Sequence, residues 1–234
     1  MKNIDLPIFF IETAGVDPIL TLNEETSKHI VQVLRMKPTE RMQLTDGQGS
    51  LLTVEIVDGH KKKCTVRVLE TQRVLKEKKE ISIAISLLKN TSRFEWFLEK
   101  ATEIGISEII PLLCDRTEKQ HFRHDRMRQI LVSAMIQSKQ TWLPHLHQPV
   151  FFQEVVSSSS YPTKLIAHCE EEIKASVSDF RTDQKTQILI GPEGDFSPGE
   201  IQAAVHQQYL PVSLGNTRLR AETAGVVAAA LLSI

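Results

Sequence analysis

The sequence predicts a two-part α/β protein, in which a small β-barrel precedes a mostly parallel sheet with helices on both faces. Up to residue 74 the chain consists of short apolar segments separated by Asp-Gly turns. From residue 75 to residue 234, segments typical of strands alternate with segments typical of helices. A charged stretch at 76–80 separates the two patterns, so we expect one domain at 1–74 and a second at 75–234.

The first domain is predicted to contain three strands and one helix. Its strands are expected at 42–45, 51–57 and 64–69. Asp46-Gly47 and Asp58-Gly59 mark the turns between them. Residues 26–34 are expected to form a single short helix with Ile30, Val31 and Leu34 on one side. Several strands joined by tight turns are typical of a small barrel.

The second domain is predicted to repeat a strand–helix unit, which produces a mostly parallel sheet. Its strands are expected at 81–88, 108–114, 165–169, 187–190 and 211–214. Ser92 and Glu95 are spaced as a capping box at the start of one helix, and Gly105 is expected to end it. Ser197 and Glu200 form a second such box.

Two further helices complete the prediction for this domain. One is expected at 126–139 and the other at 222–232. The final helix is apolar nearly all round, so it must be buried in its own domain or against a second copy of the chain.

Three loops follow strands of this sheet, at 168–172, 191–195 and 215–221. Ligands of parallel sheets bind beyond the carboxyl ends of the strands. In the middle loop, Gly191 and Gly194 allow a sharp turn close to a ligand. The carboxylates of Glu193 and Asp195 disfavour a phosphate, so a neutral or cationic ligand is expected. The alternative is a tight turn without a ligand.

The last loop places Arg218, Arg220 and Glu222 beside the apolar final helix. Partly desolvated charges cost free energy unless they are paired or used in binding or catalysis. We therefore expect a functional role for these residues. The alternative is that both arginines form surface ion pairs with Glu222.

The composition indicates an ordinary soluble globular protein. The net charge is −1 at pH 7, so the total charge does not indicate a polyanionic partner. Cys64, Cys114 and Cys169 form no CxxC pair, which predicts reduced, partly buried thiols. We find no metal-ligand cluster, signal peptide or membrane-spanning segment, and we expect a cytoplasmic location.

Six segments carry a resemblance to a known family. Residues 189–201 (LIGPEGDFSPGEI) and 214–224 (LGNTRLRAETA) resemble the SPOUT methyltransferases, and more closely the RsmE family, which methylates N3 of a uridine in 16S ribosomal RNA. Residues 29–36 and 45–49 are similar to that family's PUA-like barrel, whereas 89–104 and 137–144 match its middle motifs. The stretch 37–41 departs from the family's usual Gly-Asp turn.

The resemblance implies a trefoil knot that holds S-adenosylmethionine and a homodimer that packs near the knot. The implied cofactor residues are His168, Ile190, Gly191, Pro192, Glu193, Gly194, Leu214, Gly215, Arg218, Leu219, Arg220 and Thr223.

The implied reaction requires uracil N3 to lose its proton before it attacks the methyl group. The site therefore needs a base, or a cation that stabilises the anionic ring. Arg220 is the first candidate for the cation, and Arg218 is the second. Glu193 or Glu222 is expected to take the proton or to orient the arginine. An ion pair of Glu222 with Arg218 is the alternative.

Phosphate contacts are expected from basic residues of both domains, although each alone is also explained as a solvated charge. These residues are Arg35, Lys37, Arg41, Lys61, Lys62, Lys63, Arg93, Arg116, Arg123 and Arg126. Three other functions compete: 2′-O-methylation of another RNA by a SPOUT enzyme, RNA binding without catalysis, and a Rossmann-type oxidoreductase. The last lacks its glycine fingerprint.

Overall fold

The computed structural model describes residues 6–15, 17–76, 78–118, 121–170, 174–180 and 184–233. The chain divides into two compact units. The first comprises Met1–Lys76 and Met135–Leu143, and the second comprises Glu77–Ala134 and Pro144–Ile234.

The first unit contains a five-stranded mixed sheet. Its elements are β1 (Ile8–Phe10), β2 (Ile19–Thr21), α1 (Glu24–Lys28), β3 (Arg41–Thr45), β4 (Ser50–Asp58) and β5 (Thr65–Arg73). The strand order is β1-β3-β4-β5-β2, in which only β1 and β3 pair in parallel. Alternate residues of β3 and β4, such as Met42 and Val54, are buried in its core. The three predicted strands are confirmed, whereas β1 and β2 are too short for their periodicity to be recognised.

The predicted single helix at 26–34 is wrong in its start and in its continuity. The helix α1 begins at Glu24, because the Asn23 side chain accepts the Thr26 N–H at 2.8 Å. From His29 to Val33 the chain continues as one π-helical turn. Arg35 follows with a left-handed φ of 55°. Of the residues that the apolar pattern placed on the inner side, Ile30 is buried, Val31 is partly buried and Leu34 is exposed. The pattern also did not predict the change of helix type.

The second unit contains a sheet whose described strands all pair in parallel. Its strands are β6 (Ile81–Ser86), β7 (Glu108–Leu113), β8 (His145–Leu146), β9 (Val150–Phe151), β10 (Thr163–Ala167), β11 (Ala175–Ser176), β12 (Thr186–Ile190) and β13 (Leu210–Ser213). The order is β11-β13-β10-β12-β6-β7-β8, and β9 also pairs with β7. The predicted parallel sheet is confirmed.

Helices cover both faces of this sheet. The α-helices after residue 76 are α2 (Thr91–Ile104), α3 (His124–Gln137), α4 (Phe152–Ser158), α5 (Pro198–His206) and α6 (Ala221–Ser233). Ala84 belongs to the apolar cluster that includes residues of α4 and α5. The side chain of the next residue, Ile85, lies 3.1 Å from the point that a Cβ atom at Gly225 in α6 would occupy. Because successive strand residues point to opposite faces, α4 and α5 lie on one face and α6 lies on the other.

The helix ends separate a correct capping prediction from a wrong one. The capping box of Ser197 and Glu200 is confirmed at the start of α5. The box predicted at Ser92 is wrong: Asn90 is the N-cap residue of α2, and its side chain accepts the Ser92 N–H at 2.9 Å. Gly105 ends α2 with φ 94°, as predicted.

Candidate functional site

The described parts of the three predicted loops (168–170, 191–195 and 215–221) meet beyond the carboxyl ends of β10, β12 and β13, where they line two adjoining cavities. Residues 171 and 172 of the first predicted loop lie outside the described residues. One cavity has a volume of about 540 Å³ and the other about 420 Å³. Both are lined by Ala167, Cys169, Arg218, Leu219 and Ala224. Cavities of this size are typical of small-molecule and cofactor sites.

Most of the predicted cofactor residues line these cavities. His168, Leu214 and Gly215 line the larger one, and the smaller one is lined by Ile190, Gly191, Pro192, Glu193 and Arg220. Arg218 and Leu219 border both. Gly194 and Thr223 were also predicted, but neither is among the described residues that line the two cavities.

Asp195 connects two of the loops. Its carboxylate accepts the backbone N–H groups of Cys169 and Phe196, each at 2.8 Å. Its own N–H donates to the Pro192 carbonyl at 2.9 Å. Asp195 adopts this conformation at φ 64°, in the left-handed region that favours glycine. The loop after β12 is thereby joined to the loop after β10, a role that the sequence analysis missed.

Arg116, predicted to contact RNA, holds the same loop. Its Nη1 donates to the Gly194 carbonyl at 2.7 Å and to the Phe196 carbonyl at 3.3 Å. The preceding residue is held as well, because the Asp115 N–H donates to Glu200 Oε1 at 2.9 Å. The chain after β7 therefore supports the turn between β12 and α5.

Glu222, at the start of α6, forms an ion pair with Arg93. Glu222 is buried, and its Oε1 lies 3.6 Å from Arg93 Nε. Within the described chain, Arg218 and Arg220 are exposed and form no ion pair, so the alternative, in which these arginines pair with Glu222, is wrong. Arg93 lines the smaller cavity, whereas the sequence suggested only a phosphate contact.

The other predicted acidic residue of the site, Glu193, is exposed at the rim of the smaller cavity. Its Oε1 accepts the Lys89 backbone N–H at 3.1 Å. Ion pairing of the Lys89 side chain with Glu118, together with the charge of Glu193, raises the pKa of Lys89. Glu193 therefore remains accessible from the cavity while one of its oxygens is held in place.

The loop after β10 forms the opposite wall. His168 is buried, and its carbonyl accepts a hydrogen bond from Lys174 Nζ at 2.7 Å. Cys169 is exposed, unlike the buried Cys64 and Cys114. Partial burial and the nearby charge of Asp195 raise the pKa of Cys169.

The remaining basic residues predicted to contact RNA have varied environments. Arg126 binds Glu95 through two hydrogen bonds of 2.5 and 3.0 Å, which lower the pKa of Glu95, while Arg123 is exposed. In the first unit Arg41 lies 3.9 Å from Glu55. The other basic residues of that unit in the predicted set are exposed: Arg35, Lys37, Lys61, Lys62 and Lys63.

The residues that the structure describes include no group of three or more His, Cys, Asp or Glu side chains able to hold a metal ion. None of the helices in the same part of the chain has the length and apolar character needed to cross a membrane.

A parallel sheet with a loop-walled cavity at its carboxyl edge, accompanied by a small mixed sheet, defines an α/β enzyme with an accessory β domain. The chain belongs to the RNA methyltransferase domain family, whose model matches residues 75–233. A model of the RNA methyltransferase PUA domain matches residues 22–69. The resemblance noted in the sequence is confirmed.

Relatives match over nearly the whole chain. A probable rRNA-methyltransferase from Porphyromonas gingivalis is 36% identical with a TM-score of 0.90, covering 96% of this chain and 95% of that one. The ribosomal RNA small subunit methyltransferase E of Neisseria gonorrhoeae, solved with bound S-adenosylmethionine, is 26% identical with a TM-score of 0.86, covering 96% and 95%. The enzyme of the same name from Synechocystis is 29% identical over 93% of this chain and 74% of its own length.

Proposed function

We propose that this protein transfers the methyl group of S-adenosylmethionine to N3 of one uridine in the 16S ribosomal RNA of the small ribosomal subunit. The observation that carries the proposal is the pair of adjoining cavities, which share a wall and offer room for a cofactor and for a target base. The similarity to enzymes named ribosomal RNA small subunit methyltransferase E supports the choice of RNA.

The two adjoining cavities fit S-adenosylmethionine better than a phosphate-containing cofactor. Ile190 and Gly191 line the smaller cavity together with Glu193 and Asp195, and Leu214 lines the larger one. Acidic side chains disfavour a phosphate but favour a sulfonium cation. A side chain at Gly191 would lie 3.1 Å from the Phe196 backbone nitrogen, so the turn depends on glycine. The bound cofactor would supply an activated methyl group, and no metal is required for its transfer.

The residues around the smaller cavity provide the chemistry that the target base requires. Removal of the N3 proton leaves a negative charge spread over the ring and its carbonyl oxygens, which a nearby guanidinium stabilises. Arg220 is proposed as this cation because it is exposed to the cavity and has no ion-pair partner in the described chain. Glu193 is proposed to accept the proton, since it is exposed whereas Glu222 is buried.

RNA binding is proposed to involve both domains, 1–74 and 75–234. The exposed basic residues of the first unit would contact phosphates and position the base, because such contacts carry affinity without sequence information. A trefoil knot at the cofactor loops, a homodimer and a cytoplasmic location remain predictions of the family resemblance. Light scattering of the purified protein would test the dimer.

The function is tested by primer extension on 16S ribosomal RNA from a strain that lacks this gene. N3 methylation blocks the pairing edge of uracil, so we expect one reverse-transcription stop to be absent and to return with the wild-type gene. Methylation of the same RNA in vitro, followed by mass spectrometry of the nucleosides, identifies the modified atom. A 2′-O-methylated nucleoside would point to the rival reaction, and absence of S-adenosylmethionine binding in calorimetry would point to a non-enzymatic RNA-binding protein.

A further inference from the structure

The first turns of α2 and α6 are held together at the edge of the smaller cavity. Arg93 and Phe97 are four residues apart on α2, and Glu222 and Gly225 are three apart on α6, so each pair lies on one helix face. A Cβ atom at Gly225 would lie 2.6 Å from the Phe97 ring. The helices therefore approach closely, and this contact determines where Arg93 and Glu222 meet.

The two side chains of this pair differ in their exposure. The Glu222 side chain is 9% exposed, whereas that of Arg93 is 38% exposed. Glu222 Oε2 is buried without a hydrogen-bond partner in the described chain, and Oε1 faces Arg93. Arg93 lines the cavity together with Glu193 and Arg220. The arginine is therefore the member of the pair that a ligand reaches, and the glutamate lies behind it.

The charge balance indicates which ligand group suits Arg93. The carboxylate of Glu222 neutralises Arg93 at short range, whereas the described part of the chain provides no ion-pair partner for Arg218 or Arg220. A phosphate is expected to bind Arg218 or Arg220 rather than Arg93, because the buried carboxylate of Glu222 beside Arg93 repels a phosphate. A neutral carbonyl oxygen can still accept a hydrogen bond from the guanidinium, whose five N–H donors exceed what one carboxylate uses.

We propose that Arg93 donates a hydrogen bond to a carbonyl oxygen beside N3 of the target base, and that Glu222 is a positioning residue that holds the guanidinium. This inference rests on the proposed function. As N3 loses its proton, negative charge develops on the adjacent oxygen, so the hydrogen bond strengthens in the transition state. Arg93 then contributes to the rate and helps to select a base that presents a carbonyl oxygen. Glu222 is not the base of the reaction in this arrangement.

Four variants test the pair: Arg93→Ala, Arg93→Lys, Glu222→Gln and the double variant Arg93→Ala/Glu222→Gln. We expect Arg93→Ala to lower the kcat of RNA methylation by about 10- to 100-fold, the loss that removal of a charge-assisted hydrogen bond produces. The dissociation constant for S-adenosylmethionine should stay within about twofold, because the cofactor is bound by other loops. Arg93→Lys should recover only part of the rate, since an ammonium lacks the planar fork of donors.

The double variant separates positioning from an independent role of the carboxylate. If Glu222 acts only through Arg93, the double variant should have the same kcat as Arg93→Ala. A further large loss in the double variant would show that Glu222 reacts directly and would overturn its positioning role. Because Arg93→Ala leaves a buried carboxylate without its cation, the double variant is also the folded reference in which that carboxylate is absent. Lys100→Ala is the matched control: Lys100 is an ion-paired cation of α2, 33% exposed, that lines neither of the two cavities.

Salt dependence distinguishes the base contact from a phosphate contact. Each phosphate contact contributes about one unit to the slope of log binding constant against log salt concentration. We expect the slope for RNA binding to be the same in the wild type and in the double variant. A slope reduced by about one unit would assign Arg93 to a phosphate and overturn the inference. Methylation by the wild type tests the proposed function separately: an inactive wild type would overturn both proposals, whereas an active wild type with an equally active double variant would overturn this one alone.

Discussion

Asp195 Oδ2 accepts the Cys169 backbone N–H at 2.8 Å across 26 residues of sequence, and this bond joins the loops after β10 and β12. The same carboxylate accepts the N–H of Phe196, so one side chain holds both loops. A glycine would adopt φ 64° at no steric cost but would provide no acceptor. Asp195 is therefore strained in its backbone, but its carboxylate connects the two loops on either side of the cavities.

Removal of the Asp195 carboxylate should weaken cofactor binding. We expect Asp195→Ala to raise the dissociation constant for S-adenosylmethionine about tenfold, because two charge-assisted hydrogen bonds are lost. Asp195→Gly should bind equally weakly. It should nevertheless be more stable than Asp195→Ala by about 1 kcal/mol, since glycine tolerates the positive φ. Calorimetry and urea unfolding provide the two measurements, and wild-type affinity in Asp195→Ala would rule out the connection as a determinant of binding.

Arg116 should affect the cofactor more than the RNA. Its guanidinium holds the carbonyls of Gly194 and Phe196, so Arg116→Ala is expected to raise the dissociation constant for S-adenosylmethionine by about five- to tenfold. Lys185→Ala is the control, because Lys185 is a cation of the same unit that pairs with Glu80. This variant should leave the dissociation constant unchanged. If Arg116→Ala instead leaves cofactor affinity intact and lowers the salt slope of RNA binding, Arg116 is a phosphate contact.

Arg220 should be required for the reaction but not for retention of the cofactor. Arg220→Ala is expected to lower kcat by at least about a hundredfold, because the anionic ring loses its main stabilising cation. Calorimetry with S-adenosylmethionine should still detect binding. Turnover close to that of the wild type in single-turnover assays would contradict this assignment.

Gly225 should be essential for the contact between α2 and α6. A methyl group there meets the Phe97 ring at 2.6 and 2.7 Å, so we expect Gly225→Ala to lower the free energy of unfolding by about 1–3 kcal/mol. The control is Gly199→Ala in α5, where the nearest atom is the Ser197 hydroxyl at 3.9 Å. Since alanine favours a helix more than glycine does, that variant should be at least as stable as the wild type. Equal stability of both alanine variants in urea unfolding would contradict the close approach.

Glu108 should make stability depend on pH in the acidic range. Burial acts to raise its pKa, but hydrogen bonds from His147, Ser82 and Tyr161 outweigh burial and lower the pKa from 4.5 to about 2. Because the folded value lies below the unfolded value, the carboxylate stabilises the fold above pH 4.5. This contribution is lost as the pH falls from 4.5 to about 2.

The corresponding variant is Glu108→Gln, whose free energy of unfolding should vary less with pH in that window. We expect a difference of about 2 kcal/mol from the wild type at pH 7, after allowance for solvent screening, and a smaller one at pH 3. Tyr161→Phe removes one of the donors and should lie between the two. Parallel pH profiles for the wild type and Glu108→Gln would exclude this carboxylate as the cause.

Local patterns in the chain were sufficient to predict much of the second unit. Apolar periodicity located β6, β7, β10, β12 and β13, and the rule that ligands bind beyond the ends of parallel strands located the three loops. Strands of two or three residues, such as β8 and β11, have no such periodicity and were not predicted. The N-cap of α2 was also misplaced. Asn90 and Ser92 are both good capping residues, so residue type alone did not show which of them begins the helix.

The sequence by itself determined the fold class, the family and the loops that form the candidate site, because these depend on periodicity and on contiguous motifs. Tertiary structure alone decided the partners of the charged residues. Arg93 rather than Arg218 lies beside Glu222, Arg116 holds the loop at Gly194, and Asp195 reaches Cys169. The physical reason is that ion pairs and side-chain hydrogen bonds form only where packing brings distant segments within about 4 Å, and residue type does not specify that distance.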